Sequence, residues 1–479
     1  MPPLTTIRPT VPEPELTADG LADPLGDLAA PTHLKIEQYL PGDVLGGAHP
    51  APRLSWEIAS APAGWAPTGA DLEITRTDAA GTPLGEPEVL PLEVADGVLA
   101  PWPAPPLASR DRVVLRVRVT GRSSETPDAA AGTDSDATGT TAEADSPATA
   151  SPADTGWSEP IAYEVGLLDP ADWRALPVGP SWPENPLADR RPPRVRTEFD
   201  LPRPVVAARA YISAHGLIRA ELDGRRIGAD ELVPGWTVYG ERLIARTYDV
   251  TDLLTASGDG TGAHALGAQL ADGWYRGHIG FDGGYRNLYG EDIAAVVQLE
   301  VTHDDGSRSL IATDADWRAG VGEILFTDLY DGEKVDARRA APGWSRPGFD
   351  DSSWLPVEVG ASDAERLVMP TDAPVRAVET LRPVEVSVQE RRGLSLGGGE
   401  AELSPERVLI DFGQNISGRL RIRVSGPAGR TITLRHAEVL DDGVLGMRTL
   451  REAQATDTYT LAGGGVEEWE PAFAIHGFR

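Results

Sequence analysis

Two short stretches concentrate the residue types that could do chemistry. Ala271 to Asp292, ADGWYRGHIGFDGGYRNLYGED, sets one tryptophan, one phenylalanine, three tyrosines, two arginines and one histidine among six glycines. Aromatic rings stack on the apolar face of a pyranose while neighbouring Arg, Asp and Asn side chains bond to its hydroxyls. Trp274, Tyr275, Arg276, Asp282, Tyr285, Arg286 and Asn287 supply all of those groups and are the candidate sugar contacts. The competing reading is structural: Trp274 and Phe281 anchor a core, and the glycines allow tight turns at the rim of a β-sandwich.

The second stretch, FTDLYDGEKVDAR from Phe326 to Arg338, gathers Asp328, Asp331, Glu333 and Asp336. Such a cluster can ligate calcium, or act as an acid and base pair on a glycosidic bond. The spacing lacks the EF-hand pattern, and a solvated acidic loop held by Asx-turns is the plainer expectation. The eight histidines form no H-x-x-x-H or H-E-x-x-H pair, so no zinc motif is present and His436 and His476 are expected to be packed or hydrogen-bonded. The glycine runs at Gly397 and Gly463 lack the Lys-Ser/Thr tail of a phosphate loop, and no G-x-S-x-G elbow occurs. No catalytic residue, metal ligand or required cofactor follows, with calcium left open.

The elements that must hold these stretches are strands. Arg112 to Thr120 alternates Val113, Leu115, Val117 and Val119 against Arg116 and Arg118, a half-buried antiparallel pattern. Asp223-Gly224 and Asp305-Gly306 each sit between alternating apolar runs and predict hairpins. Further on, Leu420, Ile422 and Val424 face opposite to Arg419, Arg421 and Arg423, before a Gly426 to Gly429 turn. The fold class expected is all-β: tandem antiparallel β-sandwiches with a disordered insert. That insert, 122–154, has no aromatic residue and no Ile, Leu or Val, and is read as an expanded loop between two strands of one sandwich.

Length and charge set the outer bounds. At 479 residues more than one core is needed, and the expected divisions are a disordered lead-in 1–30 and domains over 31–168, 169–375 and 376–479. A net charge of -31 repels phosphate backbones and anionic lipid, so nucleic-acid and membrane roles are not expected. No cysteine occurs, which removes disulfides and thiolate chemistry. With no basic start and apolar h-region, the reading is a cytoplasmic protein.

Taken in order, PRLSWEI, WSEPIAYEVGLLDPADW, ISAHGLIRAELDGRRIG, LVPGWTVYGERLIARTYDVTDLL, ADGWYRGHIGF, LYDGEKVDAR, GWSRPGFDDSSW, DFGQNISGRLRIRVSGPAG, LRHAEVL and IHGFR closely resemble the bacterial α-L-rhamnosidases of glycoside hydrolase family 78. The resemblance runs from about Pro52 to Arg479. It implies an Ig-like first domain, a jelly-roll domain carrying the aromatic stretch, and a concanavalin-like domain from near Arg376. In that family an (α/α)6 barrel follows, and two acids in the barrel remove terminal α-L-rhamnose from glycosides with inversion. The resemblance stops at HGFR, so no position here inherits a catalytic role. The third domain is then expected to be truncated, and the chain to be inactive without the missing barrel. The alternative is a free-standing carbohydrate-binding protein using the jelly-roll domain.

Overall fold

The computed structural model describes residues 27–93, 96–123, 152–389 and 407–479. Residues 1–26 of the expected lead-in 1–30, and most of the insert expected to be disordered, lie outside them. Strands make up nearly all the regular structure of the described residues, whose helices are single turns, Thr251–Leu254 and Gly273–Arg276, plus three 3-10 turns. Two compact units are present, one spanning Glu15–Asp172 with Val368–Ala373, the other Trp173–Leu367 with Pro374–Arg479.

In the first unit the sheet runs Val44–Gly47, Ile161–Val165, Arg112–Ser123, Trp65–Thr77, Glu88–Leu92. The alternation predicted for Arg112 to Thr120 holds. Val113, Leu115, Val117 and Val119 are wholly buried, while Arg116 and Arg118 reach Glu73 and Asp71 across the strand pair. Arg112–Ser123 also pairs with Pro152–Trp157, Arg122 standing opposite Pro152, so residues 124–151 join neighbouring strands of one sheet. One pairing departs from the antiparallel expectation. Val44–Gly47 runs parallel to Ile161–Val165, which the long connection between them permits.

The second unit holds an eleven-stranded sheet that folds over a shared core. Val195, Leu222, Leu266 and Leu270 come from one half, and Ala210, Ile212, Val297, Leu299 and Val301 from the other. Both predicted hairpins form. Asp223 and Gly224 each take positive φ, 52° and 78°, the geometry of a two-residue hairpin turn, and Gly306 at φ 80° turns Ala294–His303 into Arg308–Ala312.

A four-stranded sheet follows the order Ile324–Asp328, Gly332–Asp336, Thr456–Thr460, Thr431–Arg435. Its central pair, Gly332–Asp336 against Thr456–Thr460, is parallel. Hydrogen bonding thereby continues across the position near 375 where the sequence suggests a boundary. The core beneath it combines Leu217, Leu232 and Val335 with Tyr459, Leu461 and Phe473. Ile422–Ser425 pairs with Val466–Trp469, whereas Thr431–Arg435 pairs with Thr456–Thr460. The Gly426 to Gly429 turn therefore carries the chain from one sheet into another.

Candidate functional site

The aromatic stretch leaves the strand Gly262–Ala271 through one helical turn, Gly273–Arg276. Gly273 starts that turn at φ 51°, and a Cβ there would lie 2.5 Å from Leu217 Cγ, so glycine is required on both counts. Trp274 packs against the core beneath the four-stranded sheet and stacks on Trp236, with centroids 6.0 Å apart and planes 5° from parallel. Trp236 keeps 53% of its surface exposed and donates its Nε1–H to Tyr289 Oη at 3.1 Å. Nothing in the spacing of PGWTVYG singles this tryptophan out in the sequence.

The other candidates divide by burial. Tyr275 lies inside, stacked on His215 and edge-on to Tyr239. Arg276 is fully buried, donating to Asp272 at 2.6 Å, to Glu184 at 2.5 Å and to the Glu291 carbonyl. Arg286 donates from Nε to His278 Nε2 at 2.8 Å and pairs with Asp189. Asn287, at φ 60°, accepts from Arg190 and donates to the Pro186 carbonyl. Asp282 and Tyr285 stand exposed on a small loop closed by the Ile279–Tyr285 bridge. Phe281 is not a core anchor: at this loop's tip it is 70% exposed, its ring 4.9 Å from the Arg451 guanidinium.

The acidic stretch is not a solvated loop. It forms a hairpin, Ile324–Asp328 against Gly332–Asp336, and Asp328, Glu333 and Asp336 are buried because each carboxylate finds donors. Asp328 accepts from His278 Nδ1 at 3.1 Å and, in an Asx-type turn, from the Tyr330 N–H at 2.8 Å. Burial opposes its ionisation, but His278 and these backbone donors outweigh burial and hold the carboxyl below its ordinary value. The Arg338 side chain draws Asp336 down to about 2. Glu333 accepts the N–H groups of Ala472 and Phe473, yet complete burial pushes it up to about 7. Asp331 accepts from the Gln454 N–H at 3.1 Å.

Two further clusters lie nearby in the same unit. Glu231 gathers Arg419 at 2.8 Å, Arg226 at 2.9 Å and Arg219 at 3.4 Å. His436, Asp457 and His476 meet in the interior, the two imidazoles stacked with centroids 4.3 Å apart. Burial and then the neighbouring His476 push His436 down to about 4. His436 also forms part of the wall of a cavity of about 570 Å³ lined by Val408, Ile410, Phe412, Leu434 and Phe478.

Sequence comparisons match three domains in order along the chain. The Rha78A-like N-terminal immunoglobulin domain matches residues 31–138, the alpha-L-rhamnosidase N-terminal domain 203–379, and the bacterial alpha-L-rhamnosidase concanavalin-like domain 401–479. An alpha-L-rhamnosidase of Streptomyces avermitilis is 43% identical over 336 residues, covering 68% of this chain and 30% of that protein. The crystal structure of the Aspergillus terreus enzyme superposes with TM-score 0.79 at 35% identity, covering 95% of this chain and 46% of that one. A Streptomyces avermitilis enzyme crystallised with L-rhamnose gives TM-score 0.76 at 28% identity, over 95% and 55%. By class, then, these are serial β-sandwich domains of the kinds found in α-L-rhamnosidases. The chain carries, in order, three domains matched by models of α-L-rhamnosidase domains, and it spans about a third of the length of the curated relative and about half that of the solved structures.

Proposed function

We propose that this chain serves as the β-domain part of an enzyme that hydrolyses terminal α-L-rhamnose from glycosides, with the acid and base supplied by a helical barrel that the described residues do not contain. The observation that carries the reading is the backbone agreement with the Aspergillus terreus α-L-rhamnosidase over 95% of the chain, through domains matched in the same order. The carboxylates of the acidic hairpin support it. Asp328, Asp331, Glu333 and Asp336 are each engaged by internal donors rather than poised as an acid and base pair around a sugar and a water.

Rhamnose contact, on this reading, falls to the accessible part of the aromatic stretch. Trp274 with the exposed Trp236 ring, Asp282 and Tyr285 face ligand, while Tyr275, Arg276, Arg286 and Asn287 fix the loop from beneath.

The test is turnover of p-nitrophenyl α-L-rhamnoside by the purified chain, beside calorimetric titration with L-rhamnose in the presence and absence of calcium. No turnover is expected, together with sugar binding in the range of about 1 mM or tighter. Hydrolysis that disappears in Glu333→Gln would overturn the reading. Calcium-dependent binding would assign the ion to the sugar surface.

A further inference from the structure

His436, Asp457 and His476 arrive from three separate segments: just after the strand Thr431–Arg435, within Thr456–Thr460, and at the start of His476–Phe478. None is more than 5% exposed. The position of each hydrogen can be read from the partners. His436 Nδ1 lies 3.1 Å from the carbonyl oxygen of Ala455, which can only accept, so the ring proton is on Nδ1 and Nε2 carries a lone pair. That Nε2 is buried without a hydrogen-bond partner, and it faces Asp457 Oδ2 at 3.8 Å. A lone pair and a carboxylate oxygen thus oppose each other in the interior with no hydrogen between them. An unsatisfied acceptor there is costly, and a cation between the two would remove that cost.

We infer that His436 Nε2, His476 Nε2 and Asp457 Oδ2 form a binding site for a divalent transition-metal ion of the zinc type. Bonds of about 2.0–2.2 Å in tetrahedral arrangement set neighbouring ligand atoms about 3.3–3.6 Å apart. The separations found from Asp457 Oδ2 are 3.2 Å to His476 and 3.8 Å to His436, and ligand atoms of all three residues fall within 4.8 Å of one another. Asp457 Oδ1 is already held by the Glu333 N–H at 2.8 Å, whereas the contact of Oδ2 with His476 Nε2 at 3.2 Å is one that ligation of both atoms by the ion replaces. The His436 Nδ1–H bond to a carbonyl is the outer contact that orients a metal-binding imidazole. Two imidazoles with one carboxylate suit zinc, iron or cobalt rather than calcium or magnesium. Ligation uses the lone pair of His476 Nε2, so its hydrogen moves to Nδ1 and the ring stays neutral.

A second group, His278 with Asp328 and Asp331, is a different case. It has one imidazole, whose two nitrogens already engage Asp328 and Arg286. The two groups therefore differ in what an absorption spectrum would see. In the 479-residue chain freed of metal by a chelator, one zinc or cobalt ion per chain is expected to bind. X-ray absorption of the zinc-loaded wild-type chain should give two imidazoles at about 2.0 Å. His436→Gln and His476→Gln should each weaken zinc at least about tenfold, and His278→Gln should leave it unchanged. No binding of either ion at about 1 mM, or a zinc shell with fewer than two imidazoles, overturns the inference. The wild-type spectrum decides the matter alone where a variant fails to fold.

Discussion

Glu231 shows how much a single partly buried carboxylate can organise. Burial works against its ionisation, yet Arg419 and Arg226 outweigh burial and draw it from 4.5 to about 2. A carboxyl lowered in the folded chain stabilises it above the unfolded value and loses that contribution as pH falls toward the folded one. Glu231→Gln should therefore cost about 3 kcal/mol at neutral pH, in urea unfolding followed by tryptophan fluorescence. The gap from wild type should close between about pH 4.5 and about pH 2. At the proposed sugar face, Trp236→Ala should weaken L-rhamnose binding about tenfold in calorimetry while leaving the melting temperature nearly unchanged, since half of that ring is exposed. Residue by residue, composition revealed the aromatic stretch but not which rings stay outside: Phe281 was read as an anchor and stands in solvent. The His436–Asp457–His476 group was not legible at all. Its members are brought together by cross-strand packing, and ligands on three segments leave no fixed spacing in the sequence.

At the scale of elements, period-two alternation was the readable signal. It gave the buried face of Arg112–Ser123 and the two Asp-Gly hairpins, because a half-buried strand must alternate and an Asp-Gly pair readily takes positive φ. The parallel pairings were not readable, since alternation says which face a residue occupies and nothing about strand direction. Arg122 and Pro152 stand opposite each other, so the loop between them spans almost no distance. Replacing residues 125–150 with a four-residue Gly-rich turn should then stabilise the first unit by no more than about 2 kcal/mol, read as a small rise in its melting temperature. Gly273→Ala should act in the opposite sense, by about 1–3 kcal/mol, as positive φ and Leu217 both resist the methyl group.

For the molecule as a whole, the division into two compact units sets the cooperativity. Calorimetry should resolve two unfolding transitions rather than three. Leu115→Ala, which empties a wholly buried position, should lower one by about 2–5 kcal/mol, and Glu231→Gln should lower only the other. The parallel pair Gly332–Asp336 with Thr456–Thr460 has a consequence for synthesis as well. The Glu333 amide waits for an acceptor 124 residues further along. At about 5–20 residues per second, a ribosome leaves that hairpin edge unpaired for roughly 6–25 s. The nascent chain therefore passes through an interval in which a bare strand edge is open to chaperones and to neighbouring copies, and slower translation past Asp336 lengthens it.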